Sequence, residues 1–180
     1  KDFASGAGKD AYEKFYAAAS KHTPSVVAEL KGWAKGSGIP LEDFMVLNLK
    51  AEFEALKKDL CGEKQEECPV GRHLEGCPGC STIVLADSHR VLHLHNEDGH
   101  DAYADLMFVL RVRPDVGEPY LALSYPGILP GNAPFINKAG LITTTNYIAT
   151  EEVRLGVGRY FLDHMMLGAH GIDEALKWAT

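Results

Sequence analysis

An α+β fold is what this sequence predicts, on three observations. Apolar residues recur at helical spacing through the first sixty positions. From Ser81 to about residue 148 the pattern breaks into short runs of period two, and helical spacing returns in the last thirty residues. The connections between the runs are too short for helical crossovers, so the sheet should be mostly antiparallel and layered against the helices.

Thr23-Pro24 reads as an N-cap followed by proline at the first helical position, opening a helix through Val26, Val27, Leu30, Trp33 and Ala34 that Gly36-Ser37-Gly38 stops. Pro40 opens the next, with Leu41, Phe44, Met45, Asn48, Leu49, Phe53, Leu56 and Leu60 along one side and Lys57 and Lys58 where the helix dipole suits cations. Residues 61–79 hold three of the four cysteines and no periodicity, which predicts a loop. Strands are expected over 81–86, 90–98, 103–113, 119–125 and 140–148, with a tight hairpin at Asp87-Ser88 between the first two. Val153, Val157, Tyr160, Phe161, Met165 and Leu167 then mark a helix, and a shorter one follows Gly171.

Several function classes are excluded by composition. The 180 residues carry 18 Lys or Arg and 25 Asp or Glu, a net charge of −7, without a clustered basic run, so the electrostatic footprint of a nucleic-acid binder is missing. The longest apolar stretches, such as Leu106 to Leu110, fall far short of the roughly 20 residues needed to cross a bilayer. Lys1 is not an initiator methionine and Thr180 follows directly on a helical pattern, so the chain is expected to be part of a longer polypeptide or to have lost a leader. The clustered cysteines lean toward a secretory or lysosome-like compartment, although there is no Asn-x-Ser/Thr sequon.

Cys61, Cys68, Cys77 and Cys80 admit three readings. Cys77 and Cys80 form a Cys-x-x-Cys pair that His89, His93, His95 or His100 could complete as a zinc site. Alternatively, a disulfide between Cys61 and Cys68 tethers the loop. In the third reading Cys80, preceded by flexible Gly79 and followed by Ser81, Thr82 and the apolar Ile83-Val84-Leu85, is a nucleophile exposed by cutting the chain before it. An N-terminal cysteine carries its own base. Its α-amine, with an unperturbed pKa of about 7.7–8.0, takes and returns the proton while the thiolate attacks an acyl carbon. Such a site needs a carboxylate to orient the amine and donors for the oxyanion.

By period two, Leu92, Leu94, Asn96 and Asp98 share one face of the second strand, and Val91, His93, His95 and Glu97 the other. The leucine face is expected to be the core side, which carries Asn96 and Asp98 inward beside the strand that starts at Cys80. Asp98-Gly99 also reads as an ordinary turn. His93 and His95 have the spacing of a strand-borne metal pair or of a solvated face, the latter being favoured. Asn146, ending Thr143-Thr144-Thr145-Asn146, is either an oxyanion donor or a cap on the sheet edge.

Several of these residues fall in a familiar order. Ala34-Lys35-Gly36, Glu42, Val46-Leu47-Asn48, Glu52-Phe53, Gly79-Cys80-Ser81-Thr82 and His95-Asn96-Glu97-Asp98 together resemble the acyl-coenzyme A:isopenicillin N acyltransferase family, self-cleaving acyltransferases and hydrolases of the N-terminal-nucleophile superfamily. Lys138-Ala139-Gly140-Leu141 leading to Asn146-Tyr147 is similar to another strand of that family. The resemblance implies an αββα layered fold, partial here. Residues 1–79 would form a helical pro-segment with its cysteine-bearing loop, and 80–180 the first part of the catalytic domain. It implies self-cleavage between Gly79 and Cys80, with Cys80 as the nucleophile and Asn96 and Asp98 as its active-site partners. The family's further strands, bearing an Asn and an Arg, would lie on the remainder of the protein. His95 and Glu97 depart from the family's Gln and Trp, and Cys77 adds a second thiol.

The expectation is therefore an N-terminal cysteine amidohydrolase or acyltransferase acting on the amide bond of a small N-acyl or aminoacyl substrate. Its catalytic residues would be Cys80, Asp98, Asn96 and Asn146, its other partner the second fragment of the same precursor, and it would need no cofactor or metal. The alternative is a non-catalytic metal-binding module built on Cys77, Cys80 and nearby histidines.

Overall fold

The computed structural model describes residues 2–61, 80–98, 101–146 and 153–179. The chain divides into two compact units, Lys1–His73 with Ala149–Leu162 and Leu74–Ile148 with Asp163–Thr180. Cys68, Cys77, Gly79 and His100, and the side chain of Cys61, lie outside the described residues, and with them the Cys61–Cys68 disulfide and the Cys77 zinc reading.

The first unit contains helices α1 (Asp2–Ser5), α2 (Lys9–His22), α3 (Pro24–Ser37), α4 (Leu41–Asn48) and α5 (Lys50–Cys61). Thr23 does not cap α3 with its side chain, as the sequence suggests. Its Oγ1 donates back to the Ala19 carbonyl at 2.9 Å, closing α2, while Pro24 at the first turn of α3 has no N–H to satisfy. Gly38 ends α3 with φ +74, a left-handed turn that an L side chain resists. The single helix expected from Leu41 to Leu60 is broken at Leu49, where φ −112 and ψ 16 leave helical geometry. Periodicity missed this break because the apolar spacing runs through it, and both Asn48 and Leu49 are fully buried. Asn48 is accommodated because its Nδ2 donates to the Phe44 carbonyl at 2.8 Å. Phe15, Leu30, Met45, Leu49 and Phe53 form this unit's interior, with Phe15 edge-on to Phe53 at 6.0 Å. Burying a side chain of that size contributes roughly 1.5–3 kcal/mol.

The second unit carries two antiparallel sheets. Strand β1 (Ser81–Ala86) pairs with β2 (Val91–Asn96) from Ser81↔Asn96 to Ala86↔Val91. Asp87 makes the turn, since its Oδ1 accepts from the main-chain N–H groups of His89 and Arg90. The other sheet has the order β3 (Phe108–Val112), β4 (Tyr120–Ser124), β5 (Phe135–Asn137), β6 (Ile142–Thr143). The strand expected over 103–113 is shorter because a 3-10 turn at Asp101–Tyr103 takes its start. In the described part of the run expected over 140–148, which ends at residue 146, pairing is found at Ile142–Thr143, and β5 was not anticipated.

Helices α6 (Arg159–Met166) and α7 (Ile172–Ala179) close the described chain. Tyr120, Ala122 and Phe135 alternate inward and pack with Leu141, Leu167, Ala169, Ala175 and Trp178, while Leu121 and Ile136 on the opposite face are exposed. Asn137 ties this core together, its Nδ2 donating to the carbonyls of Leu167 and Ala169 and its Oδ1 accepting from the Leu141 N–H. Gly131, at φ +108, is required by a close approach, because a Cβ there would stand 2.5 Å from the Asp163 carbonyl oxygen. Among the described residues no helix is long and apolar enough to cross a membrane.

Candidate active site

Strand alternation builds the site. Thr82 faces His95 across the β1–β2 ladder, so the residue before β1 and the residue after β2, Cys80 and Glu97, continue the same row. A sulfur of Cys80, a ring nitrogen of His95 and a carboxylate oxygen of Glu97 lie within 4.8 Å of one another, and the Cys80 thiol is free. Such a trio of thiol, imidazole and carboxylate is a ligand set that could hold zinc.

The row is packed rather than solvated. His95 exposes 4% of its side chain and Glu97 16%, whereas Leu92 and Leu94 are 49% and 47% exposed. At the Cys80 end of the hairpin this reverses the expected inside of the strand, since there the packed side chains lie on the histidine face, while at the far end Val84 and Val91 of that same face are 54% and 59% exposed. Polar burial is tolerated here because each group finds a partner. Asn146 and Thr144 supply two of those partners and Tyr125 a third.

The direction of each hydrogen bond follows from which atoms can donate. The Cys80 carbonyl only accepts, so Asn146 turns Nδ2 to it at 3.0 Å and leaves Oδ1 to accept from Thr82 Oγ1 at 2.8 Å. That uses the single hydroxyl hydrogen of Thr82. His95 Nδ1, 2.9 Å from Thr82 Oγ1, is therefore the donor in that contact. The Tyr125 hydroxyl donates to Glu97 Oε1, and Glu97 Oε2 faces His95 Nε2 at 3.0 Å. Thr144 Oγ1 lies 3.1 Å from both Thr82 Oγ1 and His93 Nε2, so His93 also joins the network instead of standing in solvent.

Of the residues singled out in the sequence, Cys80 and Asn146 meet through the Cys80 carbonyl. Asn96 and Asp98 form a pair of their own, Asn96 Nδ2 donating to Asp98 Oδ1. Asn96 lies opposite Ser81 and hence on the other face of the ladder from Thr82 and His95. Thr82, His95, Glu97, Tyr125 and Thr144 complete the cluster around Cys80, and sequence reading did not assign them catalytic roles. Two-residue offsets were the available signal, since Thr82 follows Cys80 and Glu97 follows His95 by one strand period.

Within the second unit, then, a free thiol at a strand start sits in a hydrogen-bonded cradle of a kind that suits acyl chemistry. Residues 84–180, just over half of the chain, match the model of the family described as acyl-coenzyme A:6-aminopenicillanic acid acyl-transferase. The chain belongs to that family, and its α+β architecture with antiparallel sheets is consistent with the N-terminal-nucleophile class. The match covers Asn96, Asp98 and Asn146 and begins four residues after Cys80. The chain is also similar to beta-alanyl-dopamine/carcinine hydrolase of Drosophila melanogaster, at 25% identity over 94% of this chain and 44% of that protein. It thus spans less than half the length of that relative. No solved structure matches significantly.

Proposed function

We propose that this chain carries the nucleophile of an autoproteolytic N-terminal cysteine amidohydrolase or acyltransferase. The observation that supports this most is the placement of Cys80 at the head of β1, its thiol free and its carbonyl held by Asn146, in a member of an acyl-transferase family. Cleavage between Gly79 and Cys80 separates a helical pro-segment from the catalytic part and frees the α-amine. The thiol then gives its proton to that amine and attacks the substrate's amide carbon, and the protonated amine returns the proton to the leaving nitrogen. Water or a second amine takes the acyl group from sulfur.

In this reading Asp98, held by Asn96, orients the new ammonium once cleavage lets the terminus move. One amide hydrogen of Asn146 anchors the nucleophile's main chain, and the other serves the oxyanion. The substrate class is a small aminoacyl amide, in line with the β-alanyl compound named for the fly relative.

Intact-mass measurement of freshly made protein tests the reading. A fragment ending at Gly79 should split off in the wild type and be absent in Cys80→Ala. A Cys80→Ala protein cut like the wild type rules self-processing out. The second reading, a metal module, is favoured by the proximity of Cys80, His95 and Glu97. Stoichiometric zinc retained on the purified protein and lost in Cys80→Ala would select it over the enzyme.

A further inference from the structure

A nucleophile fixes where the acyl carbon of a substrate sits, and with it what stands beside the rest of the acyl group. In a reactive pose that carbon lies about 3–3.5 Å from the attacking atom. A carboxylate oxygen of Glu97 lies within 4.8 Å of the Cys80 sulfur, so the atoms next to the substrate carbonyl come within its reach. The mechanism above gives Glu97 no task, because Asn146 holds the Cys80 main chain and Asp98, paired with Asn96, serves the amine. We infer that Glu97 is the specificity residue of the site, binding an ammonium group on the α or β carbon of the acyl moiety. This inference rests on the nucleophilic role proposed for Cys80 and deepens the aminoacyl substrate class proposed with it.

The surroundings of the carboxylate suit a cation. Tyr125 donates to Oε1 at 2.6 Å, and the Tyr125 ring is itself set edge-on against Tyr103 at 5.2 Å, so the carboxylate is held in one orientation. Each carboxylate oxygen accepts more than one hydrogen bond, which leaves room for a further donor. Oε2 faces His95 Nε2 at 3.0 Å. Because the Nδ1 hydrogen goes to Thr82, a neutral His95 ring offers Oε2 only a lone pair, and two acceptors then face each other. An ammonium group, with three N–H donors, serves both. Among the described residues no lysine or arginine pairs with Glu97. Glu97 leaves 16% of its side chain exposed against 4% for His95, so it is the more open of the two to an incoming group, and the packing around it strengthens the attraction.

The short span also limits the acyl group. An amine on the α or β carbon reaches Glu97 at the usual charge-assisted distance of about 2.7–2.9 Å while the carbonyl stays at the sulfur. A long aminoalkyl chain would have to fold back and lose its rotamer freedom. No bond is made or broken at Glu97, and the acyl transfer at Cys80 proceeds as proposed above.

Paired p-nitroanilides test this on the full chain. The β-alanyl and butanoyl compounds have acyl groups of equal length, with a methyl group in the second where the first has its ammonium. Wild-type kcat/KM should favour the β-alanyl substrate by about 10- to 100-fold, the scale of one hydrogen bond to a charged group. The preference should be lost in Glu97→Gln, which can still accept from Tyr125, with the butanoyl rate unchanged, and should be kept in Glu97→Asp. The 6-aminohexanoyl and hexanoyl anilides should be cleaved alike by the wild type. A wild type that does not distinguish β-alanyl from butanoyl overturns the inference, and so does a Glu97→Gln protein that retains the wild-type preference. Loss of both activities in Glu97→Gln and Glu97→Asp also overturns it, since that leaves Glu97 a structural part only. Cys80→Ala separates the two levels. If that variant still cleaves the β-alanyl anilide, the nucleophile itself is wrong. If it is inactive while the wild type cleaves both short anilides equally, only the ammonium site is wrong. A wild type inactive on both removes the amidohydrolase reading and the inference with it.

Discussion

The two sheets of the second unit obey opposite rules. In β3–β6 the row Tyr120, Ala122, Phe135 is buried and Leu121 and Ile136 point outward, so an apolar row meets apolar helix residues. In β1–β2 the row Ile83, Leu85, Leu92, Leu94 is 47–58% exposed, while the other face is packed at Thr82, His93 and His95, near Cys80, and exposed further along at Val84 and Val91. Hydrophobic alternation identifies two faces of a strand, but the partners available decide which is inside. A polar row can be the interior when a threonine, an asparagine and a tyrosine complete its hydrogen bonds, and such an interior is suited to chemistry.

The contrast can be tested from its strongest consequence downward. Cys80→Ala should abolish the proposed release of the segment ending at Gly79 while leaving both sheets intact by circular dichroism. On the apolar side, Phe135→Ala should cost about 3–5 kcal/mol in urea unfolding, the range for emptying a buried aromatic site. In the polar sheet, Thr82→Val keeps the shape but strands His95 Nδ1 and Asn146 Oδ1, and should cost roughly 1–3 kcal/mol. Leu92→Thr, on the exposed row, should stay within about 0.5 kcal/mol of wild type. If Leu92→Thr proved costlier than Thr82→Val, the assignment of the two faces would be reversed.

The smallest expected effect lies at α7. Glu174 Oε2 accepts from the His170 main-chain N–H at 2.7 Å and from Nδ1 at 2.8 Å. The side-chain hydrogen bond to Glu174, and then its charge, raise His170 above the ordinary imidazole value. The His170 main-chain and side-chain hydrogen bonds hold Glu174 below the usual carboxylate range. The raised His170 contributes stability fully present below the ordinary imidazole pKa and lost as pH rises through its folded value. The lowered Glu174 contributes stability lost as pH falls through its depressed value. The pair thus supports the helix most between the two, and only weakly, because both groups are open to solvent. An NMR titration should show the His170 midpoint falling in Glu174→Gln.

Sequence pattern went far where one residue type has one use. Pro24 and Gly38 bracket α3, and Asp87 makes the hairpin that sets Thr82 opposite His95. It failed where geometry is set by distant partners. Nothing local to Leu49 announces a helix break, and β5 has only three paired residues, directly after Pro134. The same limit governs the site. Cys80 and Asn146 stood out in the sequence, and a hydrogen bond now joins them. His95 and Glu97 read as a wet strand face, because Thr144, Asn146 and Tyr125 are brought to that face only by folding.

Asn146 reaches the Cys80 carbonyl from 66 residues further along the chain. During synthesis the cysteine leaves the ribosome long before the asparagine does. A nascent chain therefore lacks this anchor on the Cys80 carbonyl until β6 has been made and the residues after it have been added. If the chain cuts itself as proposed, the bond from Asn146 to the cysteine's carbonyl can form only after most of this region has been translated.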